Sequence, residues 1–375
     1  MRSMTKVIHV VGARPNFMKV APVISALTRR EDMTQLLVHT GQHYDANMSD
    51  VFFQELRMPE PHINLEVGSG SHARQTAEIM SRLEPVVLEW KPDLLLVYGD
   101  VNSTVAAALV CTKLLIPVGH VEAGLRSFDR TMPEEINRLL TDQIADLLFT
   151  PSTDGNENLI REGVVPEKIY LVGNVMIDTL IRLLPFAENR TIITDLGLRE
   201  QGYGLVTLHR PSNVDDQTIL NSIIETFNKI SQDLPLIFPV HPRTRMRIAG
   251  CGLNIEKKST FHLIDPIGYL DFLSLQRKAK VVITDSGGIQ EETTFLGIPC
   301  LTVRKNTERP ITITLGTNIL VGQDMKRLCY EIDHILDGGA KTGQIPPLWD
   351  GKAGERIADT IALKCFDLGY YGASP

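Results

Sequence analysis

Aromatic residues are scarce in this chain of 375 residues, at 6%, with 2 Trp. Cysteines number 5, at positions 111, 251, 300, 329 and 365. An odd count at wide spacing supports neither a disulfide framework nor a zinc site. Buried free thiols in a reducing compartment are the expectation. A basic excess is missing too. Lys+Arg 38 stand against Asp+Glu 45, a net charge of -7, which argues against nucleic-acid binding. Any anionic ligand then needs a local basic cluster. No apolar run approaches the ~18 residues of a membrane span. The longest are Leu94–Tyr98 and 105–111. The run 7–11 is too short for a secretory signal, and Arg14-Pro15 follows it instead of a small-residue cleavage site. A cytoplasmic protein without nucleic-acid or membrane partners is expected. His9, His39 and His43 lack metal-ligand spacing, so no metal site is expected. The chain also lacks a P-loop and a GxGxxG fingerprint, so nucleotide hydrolysis and dinucleotide redox chemistry lose support.

What is present is ordinary globular composition, 43% hydrophobic and 22% charged, in a repeating alternation. Thr5–Val11 reads as a first strand ending at Gly12. Phe17, Val20, Ile24 and Leu27 recur at helical spacing over 16–30. Buried strands without alternation follow at 36–40, Leu94–Tyr98, 117–121, 145–150 and 169–172, with a helix at 102–114. The pattern restarts with strands at 204–208, 236–240, 261–264, 280–284 and 299–303 and a helix at 216–230. Continuous apolar strands separated by helices indicate parallel βαβ units. The fold class expected is α/β, with two doubly wound Rossmann-like domains facing across a cleft. The expected division is 1–174 and 175–355, joined through a helix at about 176–187 and a polar connection at 188–203. The last helix, within about 354–368, is expected to bring 356–375 back onto the first domain.

Ligands of open parallel sheets sit outside the carboxyl ends of the strands. Five polar or glycine-rich segments lie there: Gly12-Ala13-Arg14, Gly99-Asp100, Glu122-Ala123-Gly124, His209-Arg210 and Asp285-Ser286-Gly287-Gly288. Glycines at 287 and 288 let backbone N–H groups approach an anion at a helix start; Asp285 or Ser286 as a plain helix cap is the competing reading. Arg14 suits a diphosphate, with Lys19 following on the helix. Asp100, Glu122 and Glu134 supply three carboxylates to one sheet. Converging, they would repel and raise one another's pKa, the tuning that acid–base chemistry requires. Taken singly, Asp100 also reads as a helix cap and Glu134 as a first-turn carboxylate facing Arg138. His209 ends the first strand of the second half.

These residues resemble a family, the UDP-N-acetylglucosamine 2-epimerases. The matching segments are Gly12-Ala13-Arg14-Pro15 with Lys19, Thr40-Gly41-Gln42-His43, and Gly99-Asp100. Gly119-His120-Val121-Glu122-Ala123-Gly124-Leu125-Arg126 and Pro133-Glu134-Glu135 with Asn137-Arg138 come next. His209-Arg210, Asp285 through Glu292, and Thr307-Glu308-Arg309-Pro310 complete the series. They follow family order over nearly the whole chain.

The resemblance implies a GT-B fold and a reaction without cofactor. UDP-GlcNAc would be inverted at C2 to UDP-ManNAc, through elimination of UDP, a bound 2-acetamidoglucal, and re-addition, for surface polysaccharide synthesis. It places the catalytic groups on Asp100, Glu122, Glu134 and His209. Substrate contacts fall on Arg14, Lys19, Phe272, Ser286, Gly287, Gly288, Glu292 and Arg309, with Glu292 on the ribose and the glycine turn on the phosphates. It also implies a homodimer. Asn16 departs from the family's usual glutamate, and Ile267 from a glutamine near the uracil. Tyr44-Asp45-Ala46-Asn47 replaces a more basic stretch in a region tied to activation by a second UDP-GlcNAc, which Gln42, His43, Arg74 and Arg210 would support. The competing readings are a 2-epimerase of a UDP-diacetamido uronate, a hydrolysing relative releasing free ManNAc, a GT-B glycosyltransferase, and a non-catalytic nucleotide-sugar binder. A transferase or binder has little use for three carboxylates.

Overall fold

A computed structural model describes residues 4–41, 58–250 and 260–364, without the side chains of Arg14 and Arg243. The chain divides into two compact units, Met1–Arg182 with Pro347–Pro375, and Leu183–Pro346.

The first unit runs β1 (Thr5–Val11), α1 (Arg14–Thr28), β2 (Met33–His39), β3 (Ile63–Asn64), α2 (His72–Trp90), β4 (Leu94–Tyr98) and α3 (Asn102–Lys113). It continues with β5 (Val118–Val121), α4 (Pro133–Ile144), β6 (Leu147–Thr150), α5 (Thr153–Arg161), β7 (Ile169–Leu171) and α6 (Val175–Glu188). Its sheet has the order β3-β2-β1-β4-β5-β6-β7, and its pairings are parallel. Every residue of β4 is fully buried, as a strand covered by helices on both faces must be. The two-residue β3 lies beyond the reach of periodicity. In α2 the buried stripe is Gln75, Ile79, Leu83 and Val87, one face of a helix at four-residue spacing.

The second unit holds α7 (Ile192–Asp195), β8 (Gly204–Thr207), α8 (Pro211–Val214), α9 (Gln217–Ile230), β9 (Leu236–Pro239), α10 (Pro242–Gly250) and β10 (Phe261–Ile264). Then come α11 (Tyr269–Lys278), β11 (Val281–Thr284), α12 (Gly287–Leu296), β12 (Cys300–Thr302), α13 (Ile311–Thr314), β13 (Asn318–Leu320) and α14 (Met325–Leu336). The sheet order β10-β9-β8-β11-β12-β13 repeats the winding of the first unit. Asp216 caps α9 by accepting from the Thr218 and Ile219 N–H groups. The helix buries Leu220, Ile223, Ile224, Phe227 and Ile230 against the sheet core. The expected polar connection at 188–203 is more than a connection. It contains α7, and Ile193 and Tyr203 are buried in it, the tyrosine hydroxyl donating to the Leu275 carbonyl at 2.6 Å.

The division falls inside α6, not before it, and ahead of Trp349, not at 355/356. The reason is what the return segment packs on. Trp349 Nε1 donates to the Pro151 carbonyl at 3.0 Å. Asp178, on the first half of α6, accepts from the Ala353 and Gly354 N–H groups at 3.1 and 2.7 Å. It thereby caps α15 (Ala353–Lys364) from outside that helix. Arg29 and Arg30, following α1, pair with Glu355 and Asp359. Among the described residues no helix is long and apolar enough to cross a membrane.

Burial pushes the Asp178 carboxyl up to about 6. Raised above its unfolded value, it favours the folded state when protonated, and that stabilisation is lost as pH rises through the folded pKa. Wild type should therefore lose stability relative to Asp178→Asn between about pH 4 and pH 6, with a constant difference above. Urea midpoints of the two proteins across that range check it.

Candidate active site

In each unit the winding reverses between two central strands, β1 and β4 in the first and β8 and β11 in the second. Strand connections leave such a point in opposite directions and open a crevice at the carboxyl ends.

In the first unit Gly12 follows β1. A side chain there would meet Ser103 Oγ at 1.9 Å, so glycine is required. Asn16 Oδ1 accepts from the Gly12 and Ala13 N–H groups at 3.1 and 3.0 Å, and its Nδ2 donates to the Tyr98 carbonyl at 2.8 Å. This residue, noted in the sequence as a departure from the family pattern, ties the end of β1 to the end of β4. Arg14 opens α1, and its side chain lies outside the described residues, as do Gln42 and His43. Lys19, one turn on, is buried and ion-paired with Glu122.

Gly99, at φ +64°, follows β4 and leaves room for the Lys19 ammonium. Asp100 is ion-paired with Arg138, whose other arm reaches Glu135 at 2.7 Å. Glu135 in turn accepts from the Ser127 and Phe128 N–H groups, both at 2.9 Å. Glu122 follows β5 at φ +75°, a left-handed conformation that costs a non-glycine residue roughly 1–3 kcal/mol and is held only by its surroundings. Glu134 sits half-buried in the first turn of α4. Asp100 and Glu134 line one cavity of about 240 Å³ with His72, Gln75, Asn102 and Asn137. Glu122 stands apart from that lining, against Lys19. The crowding of like charge expected from the sequence is thus relieved locally, because Asp100 and Glu122 each carry their own cation.

In the second unit Asp285, at the end of β11, is fully buried. It accepts from the His209 N–H (3.1 Å), the Arg210 N–H (2.9 Å) and Asn213 Nδ2 (3.0 Å). His209 Nδ1 lies 3.0 Å from the same carboxylate, with the histidine side chain 60% exposed. Burial alone would raise the Asp285 carboxyl. The hydrogen bonds from His209, Arg210 and Asn213 outweigh it and hold the group below the usual carboxylate range. An imidazole donating from Nδ1 to a carboxylate presents Nε2 to a ligand in a defined orientation.

Ser286 precedes α12 with no side-chain cap bond, and the first turn carries no acidic residue. A Cβ on Gly287 would lie 2.4 Å from Arg309 Nη1, so the missing side chain lets the guanidinium press against the helix start. Arg309 is itself paired with Glu291 at 2.9 Å and Glu308 at 3.4 Å, and Glu308 also takes both arms of Arg304. Helix N–H groups beside a guanidinium form an anion cradle. Glu292 lies further along α12 beside Gly288. Its Oε1 accepts from the Tyr269 hydroxyl at 2.7 Å, and burial pushes it up to about 7. Phe272, Ile267 and Ile289 are partly buried and pack against the core cluster that holds Leu275 and Val282. Structure thus gathers Ser286, Gly287, Gly288, Glu292 and Arg309 on one helix start.

Sequence reasoning missed Asp285 as the organiser of the β8 end, Arg138 as the partner of Asp100, and His72 and Asn102 on the cavity wall. The partnerships of Arg138 with Asp100 and of Asp285 with His209 have no local spacing signal, since they join residues far apart in the chain.

The family model for UDP-N-acetylglucosamine 2-epimerase matches residues 25–362. The UDP-N-acetylglucosamine 2-epimerase of Methanocaldococcus jannaschii is 44% identical over 355 residues, 93% of this chain and 96% of the relative. A UDP-2,3-diacetamido-2,3-dideoxy-D-glucuronate 2-epimerase of Pseudomonas aeruginosa is 45% identical over 366 residues, 95% of this chain and 99% of the relative. A crystal structure of the M. jannaschii UDP-GlcNAc 2-epimerase in complex with UDP-GlcNAc and UDP superposes with a TM-score of 0.87 at 42% identity, covering 96% of this chain and 100% of that one. The chain belongs to the UDP-N-acetylglucosamine 2-epimerase family, of the non-hydrolysing type. Its class is isomerase, and its two Rossmann-like units are those of the GT-B fold. The transferase and binding-protein readings fall with that assignment.

Asp285→Ala should leave the His209, Arg210 and Asn213 donors without this acceptor, at a cost of about 1–3 kcal/mol. Urea unfolding at neutral pH, with mutant and wild type compared, measures it.

Proposed function

We propose that the protein interconverts UDP-GlcNAc and UDP-ManNAc by inverting C2, without cofactor, as a cytoplasmic homodimer that supplies ManNAc-type sugars to polysaccharide synthesis. The observation that carries this reading is the pairing of Asp100 and Glu134 on one polar cavity. In the proposed reaction the C1–O bond to UDP breaks as C2 loses its proton to a carboxylate. The products are 2-acetamidoglucal and UDP. UDP then re-adds at C1 while C2 takes a proton on the opposite face. That sequence needs two acid–base groups on two faces, drawn from Asp100, Glu122 and Glu134. The C2 hydrogen is not next to a carbonyl, so departure of UDP must be assisted by positive groups at the diphosphate. Arg309, the Ser286–Gly288 turn and His209 fit that task. Glu292 would accept the ribose hydroxyls, and Phe272 would lie beside the base.

A second reading is favoured by one observation. The diacetamido-glucuronate 2-epimerase of P. aeruginosa is as similar to this chain as the M. jannaschii enzyme is. The substrate would then be a UDP-diacetamido uronate, with the same elimination and re-addition.

Proton NMR of UDP-GlcNAc with the pure protein in D₂O, without metal, separates the readings. UDP-ManNAc deuterated at C2 is expected. Free ManNAc with UDP would mark a hydrolysing enzyme instead. No turnover of UDP-GlcNAc, with turnover of the diacetamido uronate, would select the second reading. Asp100→Asn, Glu122→Gln and Glu134→Gln should each reduce turnover by ~10²–10⁴-fold, with UDP affinity changed much less. Normal turnover in Glu122→Gln would remove that residue from the acid–base set.

Glu292 yields a pH prediction. A carboxylate accepting ribose hydroxyls must be ionised, and burial holds this one near pH 7. UDP affinity should therefore rise as pH is raised from about 6 to about 8, and Glu292→Gln should flatten the profile. Calorimetric titration of UDP at several pH values checks both.

A further inference from the structure

Behind Asp100 and Glu122 lies a buried polar cluster that the reaction does not use. His120, on β5, is fully buried. Its Nδ1 lies 2.6 Å from Asp142 Oδ1, and its Nε2 lies 2.8 Å from the Gly99 carbonyl oxygen. Asp142 is fully buried on α4. Its other oxygen accepts from the Gly124 N–H at 3.1 Å and pairs with Arg126 Nη1 at 2.7 Å. Arg126 sends Nε and Nη2 to the two oxygens of Glu162, at 2.8 and 2.6 Å. Asp142 is an acceptor by geometry, since its second oxygen takes the Gly124 N–H and faces the Arg126 guanidinium.

A carbonyl oxygen only accepts, and so does a carboxylate. Both nitrogens of the His120 ring thus face acceptors, and a neutral imidazole has a single N–H. The fully buried Asp142 charge lies between the ring and Arg126, whereas Glu162, at the far side of Arg126, is partly exposed. The two ends of the ring also hold the two segments that matter. Gly99 precedes Asp100 and sits at φ +64°. Asp142, fixed by Nδ1, holds Gly124, at φ +81°, two residues beyond Glu122 at φ +75°. Left-handed backbone at a non-glycine residue persists only where neighbours over-determine it.

We propose that His120 is a doubly protonated imidazolium, held between Asp142 and the Gly99 carbonyl, and that it is a positioning residue for the Asp100 and Glu122 carboxylates. The charge is structural: it neither meets substrate nor moves during turnover. Its catalytic consequence rests on the epimerase reading above, while its protonation state does not.

The test has two arms. Nitrogen NMR of the full-length protein labelled on histidine, at about pH 8.5, well above the ordinary imidazole range, should show one ring with protons on both nitrogens. That signal should vanish in His120→Gln, which identifies it, and in Asp142→Asn, which removes the counter-charge and serves where the first variant does not fold. A His120 ring with one bare nitrogen in the wild type overturns the proposal. In the kinetic arm, folded His120→Gln should lose about 10²-fold in kcat through misplaced carboxylates, with KM and UDP affinity within about twofold. An unchanged kcat overturns the positioning role. Failure of the wild type to turn over either nucleotide sugar would count against the functional reading and leave the NMR result standing.

Discussion

Each sheet depends on how its switch point is closed. Where the winding reverses, the chain leaves two adjacent strands in opposite directions, and the backbone groups just past the strand ends lose their ladder partners. Buried N–H groups without acceptors are costly. Both units solve this with one buried polar side chain. In the first, Asn16 takes the Gly12 and Ala13 N–H groups and donates to Tyr98. In the second, Asp285 takes the His209 and Arg210 N–H groups. The choice of residue differs in consequence. An amide offers a donor as well as an acceptor and brings no charge. A carboxylate brings a charge that orients the His209 ring.

Charge elsewhere in these sites is organised in pairs. Lys19 meets Glu122, Arg138 meets Asp100, and Arg304 and Arg309 meet Glu308 and Glu291. Buried ions are tolerated when paired and hydrogen-bonded. In the second unit, a diphosphate at the start of α12 would meet an Arg309 already paired with Glu291 and Glu308. It would compete with those neighbours for the guanidinium of Arg309, and with none for the N–H groups at the start of α12.

Much of the fold was legible in the sequence, because buried parallel strands write themselves as short apolar runs such as Leu94–Tyr98, and their ends as glycine or polar residues. The strand-end rule picked out Asp100, Glu122, His209 and Ser286 before any coordinates. The two-residue β3 was not legible, since its length gives no periodicity. The domain division was misread at 174/175, because the first half of α6 belongs with the return segment through Asp178. The resemblance marked Arg138 within a motif but not as the partner of Asp100.

By itself the sequence determined two doubly wound units, the strand ends on which the chemistry-bearing residues stand, and the family to which their order belongs. Only the tertiary structure decided which charges meet. Lys19 and Glu122 are 103 residues apart, and Asp285 and His209 are 76 apart. A local pattern reports the face on which a residue lies, through periods of two or 3.6 residues. Which distant side chain shares its site depends on sheet order and register, and these are settled when the strands pack.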